Sequence, residues 1–517
     1  MGKETSFLST PPESRQTIPD FWLSHLSEFV ASQMGLHFPK ERWYNLERGI
    51  CSAACEFGFK DAESCIQWLL SARLTKNQIE ILASHLTVGE TYFFREKKSF
   101  DILEEHILPE LIRTRQDMEK RLRIWSAGSS TGEEPYSIAI LLSKMLSNLK
   151  DWNITIRATD INPRFLQKAS EGVYNEWSFR DTLPWIKERY FKKTKEDRFE
   201  ILPYIKKLVS FSYLNLAEDS YPSLLNNTNA MDIIFCRNVL MYFDQERQRK
   251  VIQNLYRCLI EGGWLIVSPS ETSHVLFSQF MAVNFSGATF YKKDSKKSQT
   301  VEDFVLKEIP SCLVSDVMAP FQKPPFEYVG EPESKVTFPE PLPLEAEEQK
   351  IAEPKRTLYE EALALYEQCR YEEAVDKILF LLSHNKIDSK AFTLLARAYA
   401  NQGKLSEALE WCEKAIVADK LNPGCHYLLA TILQERGRVE EAVVSLKRAL
   451  YLESNFVLAH FALGNLNQQQ GKFKEAKKHF KNALSLLNAY PHEDILPESE
   501  GITAGRLMEI IRLMINN

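Results

Sequence analysis

The sequence predicts three folded units in one chain: an all-α domain, an α/β domain built on a parallel sheet, and an all-α repeat solenoid. Three observations carry this reading. Apolar residues recur at helical spacing from Phe21 to about Leu86, β-like runs then alternate with helical stretches up to Ser268, and from Lys355 small residues return at a fixed interval. At 517 residues the length leaves room for three or four domains. The content of 44% apolar and 26% charged residues is that of a chain able to bury a core without disulfides or metal.

Residues 1–17 are polar, lack the apolar stretch of a signal peptide and read as a disordered N-terminus. Residues 18–88 form the all-helical N-terminal domain, with Phe21, Trp22, Leu26, Phe29 and Val30, then Ile66, Trp68 and Leu69, then Ile79, Leu82 and Leu86 on the inner faces. Residues 89–295 carry strands near Leu122–Ala127, Ile154–Thr159, Ile233–Cys236 and Trp264–Ser268, alternating with helices as parallel sheets require. Val283–Phe285 and Thr289–Lys292 read as a closing antiparallel hairpin. An insertion at 190–216, with β-like runs at Arg198–Leu202 and Leu208–Phe211, reads as a small β-subdomain.

Residues 296–354 hold nine prolines and 12 Asp/Glu against 6 Lys/Arg, the composition of an acidic linker. Beyond it Ala362, Ala396, Ala430 and Gly464 stand in register, as do Ala374, Ala408, Ala442 and Ala476. The interval is that of a tetratricopeptide unit, and small side chains let its paired helices cross closely. Four repeats span 355–491. Gly403, Gly437 and Gly471 mark the turns inside three of them, with Cys369 in that place in the first, and residues 492–517 form a tail whose Leu507–Met514 stretch caps the array.

The stretch Leu122–Leu142 reads as strand, glycine turn and helix in direct succession. Gly128 and Gly132 allow a tight turn beside a ligand, and Ser129, Ser130 and Thr131 are placed to cap the helix that follows. No lysine follows the second glycine and the spacing is not G-x-G-x-x-G, so neither a Walker phosphate loop nor a dinucleotide fingerprint is present. Glu133 and Glu134 at the helix start argue further against a phosphate and for an uncharged or cationic ligand.

The formal charge of −6 gives no sign of a nucleic-acid partner. The nine cysteines form no C-x-x-C pair and fit a reducing compartment, and no run approaches the ~18 apolar residues of a membrane span. A cytoplasmic protein without membrane insertion is expected, and a monomer, since a repeat array needs no partner copy for stability.

Four motifs in order, LTVGETYFFRE at Leu86–Glu96, WSAGSSTGEEPYSIA at Trp125–Ala139, ATDIN at Ala158–Asn162 and FCRNVLMYFD at Phe235–Asp244, resemble those of the CheR-type chemoreceptor-glutamate methyltransferases over roughly residues 18 to 295. The resemblance implies a class I, Rossmann-like methyltransferase domain using S-adenosylmethionine, which carries an ammonium and a sulfonium but no phosphate. Its products would be a glutamyl methyl ester on a chemoreceptor or receptor-like signalling protein and S-adenosylhomocysteine. A carboxylate of pKa ~4.3 is already ionised at neutral pH, so the chemistry needs positioning and desolvation rather than a general base. The chain's histidines accordingly fall outside the four motifs.

Residue by residue, the resemblance implies cofactor contacts from Thr91, Gly128, Gly132, Glu133, Asp160, Asn215, Leu216, Asn238 and Val239. Asp160, ending the second strand, is placed to accept both ribose hydroxyls. Arg95 is expected both to touch the cofactor and to orient the acceptor carboxylate through paired hydrogen bonds. Tyr242 is expected near the transferred methyl. Gly89 stands where the family often has an asparagine, and the glycine-free hairpin KKTKEDRF argues against docking of a receptor tail on the β-subdomain. The repeats are expected to recruit or regulate through an unidentified protein partner. Two other readings fit the motifs less well: a cofactor-sensing scaffold without transfer activity, and a methyltransferase for a small-molecule carboxylate. No metal is implied.

Overall fold

The structure, a computed structural model, describes residues 18–294 and 357–516 apart from 73, 116–119, 219–220, 225, 385–387 and 500. The segments 1–17 and 296–354 lie outside the described residues. The N-terminal helices α1 (Asp20–Met34), α2 (Trp43–Phe57), α3 (Ala62–Ser71) and α4 (Lys76–Leu86) enclose a core that includes Leu26, Val30, Leu46, Ile50, Ile66, Leu69 and Leu82. Helix α4 starts at a reciprocal capping box between Thr75 and Gln78. Helix α1 stops at Gly35, where a Cβ would stand 2.3 Å from that of Ala217. That close approach seats the helical domain against the α/β domain.

The α/β domain contains, among the described residues, a seven-stranded sheet of order β6-β2-β1-β7-β8-β10-β9. Its strands are β1 (Arg121–Ala127), β2 (Asn153–Asp160), β6 (Val209–Tyr213), β7 (Met231–Phe235), β8 (Leu259–Ile266), β9 (Met281–Phe285) and β10 (Ala288–Lys292). Strands β6 to β8 run parallel and β10 lies antiparallel to β8. The helices are α5 (Lys97–Ile102), joined by a π-helical turn at Leu103–Ile107 to α6 (Leu108–Arg115), then α7 (Glu133–Met145), α8 (Pro163–Glu171), α9 (Pro184–Tyr190), α10 (Pro203–Lys206) and α11 (Gln245–Cys258). Because helices cover both faces, β1 is buried along its whole length.

The small sheet consists of β3 (Val173–Tyr174), β5 (Phe199–Ile201) and β4 (Phe191–Lys193). The run at 208–211 is not part of it, contrary to the sequence reading: it belongs to β6, paired parallel with β2 from Ile156↔Val209 to Asp160↔Tyr213. The β4–β5 hairpin turns through Asp197 at φ 61°, an aspartate taking the left-handed position that a glycine would fill.

Helices α12 (Leu358–Glu367), α13 (Tyr371–His384), α14 (Ser389–Asn401), α15 (Leu405–Ala418), α16 (Pro423–Glu435), α17 (Val439–Leu452), α18 (Val457–Gln469) and α19 (Phe473–Leu487) stack as successive pairs, and α20 (Ala504–Asn516) covers the end. Leu507, Met508 and Ile511 of α20 join the core of the last repeats. The turns within the pairs pass through Cys369, Gly403, Gly437 and Gly471, all at φ between 59° and 76°. A left-handed conformation costs a non-glycine residue roughly 1 kcal/mol. Cys369→Gly is therefore expected to raise the unfolding midpoint of the array, checked by denaturant titration; an unchanged or lower midpoint would contradict the strain at that turn.

The row of turns lies across the N-terminal ends of the sheet strands. Gly403 packs on Ala230 and Ile260, the Asn229 side chain donates to Ala400 O at 3.4 Å, and Asn153 Nδ2 donates to Glu435 O at 2.7 Å. The carboxylate of Glu435 pairs with Arg123 and, at 3.4 Å, with Arg121, and these side chains are all at most 10% exposed. Arg115 pairs with Asp232 beside them, and Asp232 also accepts the Arg123 backbone N–H at 2.7 Å. On the sheet edge, Arg506 of α20 lies 4.4 Å from the ring of Tyr213. Among the described residues no helix is long and apolar enough to cross a membrane.

Candidate functional site

Strand order reverses between β1 and β7, so the crevice above their C-terminal ends is the switch point at which open parallel sheets bind ligands. After β1 the chain turns through Gly128 at φ 79°, where a Cβ would lie 2.4 Å from Val239 Cγ2. Only glycine leaves room there for the β7 loop. The Gly128 and Ser129 N–H groups donate to Thr159 O, and Ser130, at φ 48°, donates its N–H to Asp160 Oδ2 at 2.8 Å. Asn162 N–H donates to the other carboxylate oxygen, also at 2.8 Å. Asp160 thus ties the β1 and β2 loops together. Burial pushes its pKa up to about 6, against the pull of these backbone donors.

After β7, Asn238 sits at φ 57° and the loop is held from outside the motif. Glu271, nearly buried, accepts the N–H groups of Asn238 at 2.6 Å, Val239 at 2.7 Å and Met241 at 3.3 Å. Tyr242 is fixed by the helical domain: His37 N–H donates to its carbonyl at 2.7 Å and the Arg42 guanidinium lies 5.0 Å from its ring. Burial raises the Tyr242 phenol's pKa, against the pull of Arg42 and Arg95, so at neutral pH it carries its proton.

These elements line a cleft of about 670 Å³, counting the solvent-open space at its mouth. Gly128, Asp160, Asn215, Leu216, Asn238, Val239 and Tyr242 line it, together with Met34, Leu36 and Leu86 of the helical domain. Asn215 is held by donating to Glu218 at 3.3 Å and accepting from Ala217 N–H at 3.0 Å. The Ser130 hydroxyl in the wall is buried without a partner among the described residues, leaving a polar group for a ligand to satisfy. Gly89 has a structural counterpart as well: a Cβ there would lie 2.5 Å from the ring of Phe165, which forms part of the wall.

Thr91, Arg95, Gly132 and Glu133 are not among the lining residues. Gly132, at φ 93°, is the N-cap of α7 and makes room for Ala169 and the Tyr174 hydroxyl rather than for a ligand, and none of the three preceding hydroxyl side chains caps the helix. Glu133 is 1% exposed, accepts from the Thr131 and Ser178 hydroxyls at 2.6 and 3.0 Å, and has its pKa raised by burial. Glu134 accepts from Ser126 at 2.8 Å and Arg237 at 3.0 Å. Both acids point into the protein, so the sequence argument that they face and repel a phosphate does not hold. Half-buried Arg95 donates from Nη1 to Glu90 O at 2.7 Å. Its own carbonyl accepts from Arg237 at 2.6 Å, and Arg237 also pairs with Glu96 at 2.9 Å.

Sequence reasoning missed Glu271 and Arg237 as the residues that hold the β7 loop and the Arg95 segment. Ser268-x-x-Glu271 carries a capping-box pattern, which signals a helix start but not a clamp on a loop thirty residues away.

A parallel sheet closed by a reversed hairpin, with an apolar-walled cavity at its switch point and an acid ending the second strand, is the arrangement of S-adenosylmethionine-dependent methyltransferases. Residues 89–286 match the family described as CheR methyltransferase, SAM binding domain, and residues 359–423, 431–471 and 457–490 match tetratricopeptide repeat families. The chain is 33% identical over 252 residues to the chemotaxis protein methyltransferase of Borreliella burgdorferi, covering 48% of this chain and 87% of that one. It is 38% identical over 193 residues to a probable chemotaxis protein methyltransferase of Rhizobium etli (37% and 70%), and 34% identical over 219 residues to chemotaxis protein methyltransferase 2 of Vibrio cholerae (42% and 74%). The chain belongs to the CheR methyltransferase family, with tetratricopeptide repeats appended.

Proposed function

We propose that the chain is a cytoplasmic protein-glutamate O-methyltransferase that esterifies glutamate side chains of a chemoreceptor or a receptor-like signalling protein. The observation that carries this reading is the composition of the cavity: among the described residues its lining contains Asp160 and Tyr242 but no histidine, lysine or cysteine. An acceptor that must first lose a proton would find there no base but Asp160, which the ribose hydroxyls engage in this reading, whereas a carboxylate needs none. S-adenosylmethionine supplies an electrophilic methyl when bound; the acceptor oxygen forms the new C–O bond as the C–S bond breaks, leaving S-adenosylhomocysteine.

In this reading Asp160 accepts the ribose hydroxyls, Asn215 and Leu216 flank the adenine, and Gly128, Asn238 and Val239 follow the methionyl part. Gly132 and Glu133 act from behind the wall, by shaping the loops that carry the contacts, and Thr91 keeps the cofactor contact that the resemblance implies. Arg95, released from Glu90 O, leads in the acceptor carboxylate, and the protonated Tyr242 donates a hydrogen bond beside the methyl. The repeat array contacts a further protein. Membranes bearing receptors, incubated with methyl-labelled donor and the protein, should gain label that mild alkali releases as methanol. Alkali-stable label, or none, contradicts the proposal.

Asp160 accepts hydrogen bonds best when ionised, so bound ligand favours the form that burial disfavours. Affinity for S-adenosylhomocysteine is accordingly expected to be full above the Asp160 pKa of about 6 and to fall as pH drops through it. The fall should approach tenfold per pH unit below that point, with proton release on binding near pH 6, measured by calorimetry in two buffers of different ionisation enthalpy. A flat profile between pH 5 and 7 contradicts the role given to Asp160.

A further inference from the structure

Arg95 stands between two residues whose backbone is left-handed, Phe94 at φ 57° and Glu96 at φ 58°. For a bulky aromatic residue that conformation is an outlier, kept only where the surroundings over-determine it. They do so here. The Phe94 ring packs 5.1 Å from that of Phe100, and the Phe94 N–H donates to the Ser137 hydroxyl at 2.9 Å, which donates in turn to Glu133 O at 2.7 Å. One residue earlier, Phe93 N–H donates to Ser178 O and the Phe93 ring stacks on Phe179 at 4.9 Å. On the other side Glu96 is the N-cap of α5, and its carbonyl accepts the Ser99 N–H at 2.8 Å.

The middle of this turn is held by one buried guanidinium. Arg237, with its side chain 2% exposed, donates to Arg95 O at 2.6 Å and to Glu134 at 3.0 Å. Its Nη2 also lies 2.9 Å from Glu96 Oε2, as an ion pair without hydrogen-bond geometry. Glu134 is itself fixed by the Ser126 hydroxyl at 2.8 Å. Arg237 directly precedes Asn238, and Glu134 lies in the first turn of α7, so a single side chain sets the Arg95 backbone against both loops that wall the cleft. Those loops have ties of their own: Glu271 accepts from Asn238 and Val239, and Thr159 O from Gly128 and Ser129.

We propose that Arg237 is a positioning residue for the acceptor: it holds the strained turn at 94–96 so that Arg95 meets the acceptor carboxylate in a fixed place relative to the bound donor. The inference rests on the role given to Arg95 in the proposed methyl transfer. The Arg95 side chain keeps a freedom that its backbone lacks, because its bond to Glu90 O is open to solvent while Arg95 O is gripped from inside. Breaking that one outer bond turns the guanidinium toward the acceptor without reshaping the turn. A lysine in place of Arg237 could not do the same, since an ammonium has no planar fork with which to reach Arg95 O and Glu134 together. Loss of the grip misplaces Arg95, and the cofactor loops keep their own ties.

The test is a double-mutant cycle in the full chain, read as kcat/KM for methylation of receptor-bearing membranes. Arg237→Gln alone should lower it about 100-fold, the loss that a misplacement of roughly 1 Å brings. Binding of S-adenosylhomocysteine by calorimetry should meanwhile stay within about threefold of wild type. In an Arg95→Gln background the same substitution should cost less than about threefold, because no guanidinium is left to place. Arg237→Lys keeps a cation beside Glu134, which guards against unfolding, and should show the same pattern. Independently of transfer, amide hydrogen exchange at 94–99 should quicken in both Arg237 variants, and exchange at 238–241 should not. Equal losses in both backgrounds, cofactor affinity that falls in step with transfer, or unmoved exchange at 94–99 would each overturn the proposal. A wild-type chain that binds S-adenosylhomocysteine but labels no receptor removes the proposed activity and this inference with it, whereas an active wild type with additive losses removes the inference alone.

Discussion

Asp160→Ala is expected to weaken binding of S-adenosylhomocysteine by about 100-fold or more, corresponding to two charge-assisted hydrogen bonds of roughly 1.5 kcal/mol each. The same carboxylate accepts Ser130 N–H and Asn162 N–H, so its removal also loosens the two loops that form one end of the cavity. Asp160→Asn separates the effects: it keeps the size and one acceptor oxygen but lacks the charge, and should bind more weakly than wild type and more tightly than the alanine variant. The check is calorimetric titration, with ligand-induced shift of the unfolding temperature as a second readout. An alanine variant that binds within threefold of wild type would remove Asp160 from the site.

Glu435→Ala should cost about 3–5 kcal/mol of stability, because it leaves Arg121 and Arg123 buried against the repeat array without their counter-ion. Arg123 keeps its bond to Asn229 O at 3.0 Å, but burial still lowers the Arg121 pKa and only acids restore it. The loss falls on the interface, so the array and the α/β domain should unfold as separate transitions in the variant. Denaturant titration followed by two probes, Trp125 in the sheet and Trp411 in the repeats, reads this with the other tryptophans replaced. A single coincident transition with a loss under 1 kcal/mol would show that the salt bridge does not join the units.

The residues at the strand ends were legible because motif and geometry coincide there. Gly128, Asp160, Asn238 and Val239 each end or follow a strand that the hydrophobic pattern also marks, and parallel strands bring their C-terminal ends to one crest. The repeats were legible because their period fixes their packing. β6 was misread for a physical reason: Val209-Ser-Phe-Ser-Tyr alternates like a half-exposed strand, which is what a sheet edge is, and nothing local tells one sheet's edge from another's. The inward turn of Glu133 and Glu134 depends on Ser178 and Arg237, both distant in sequence. The same holds for Glu271 under the β7 loop and Glu435 under Arg123. Long-range charge pairing leaves no periodic trace, so the parts that hold the site rigid were the parts the sequence concealed.

The central claim is that a sulfonium donor lies in the crevice above β1 and β7, with its ribose on Asp160. A crystal structure of the full chain with S-adenosylhomocysteine tests it most directly. The account predicts ligand density in the cavity, both ribose hydroxyls within hydrogen-bond distance of the Asp160 carboxylate and the sulfur on the Tyr242 side. Ligand bound elsewhere, or a ribose turned away from Asp160, would contradict it.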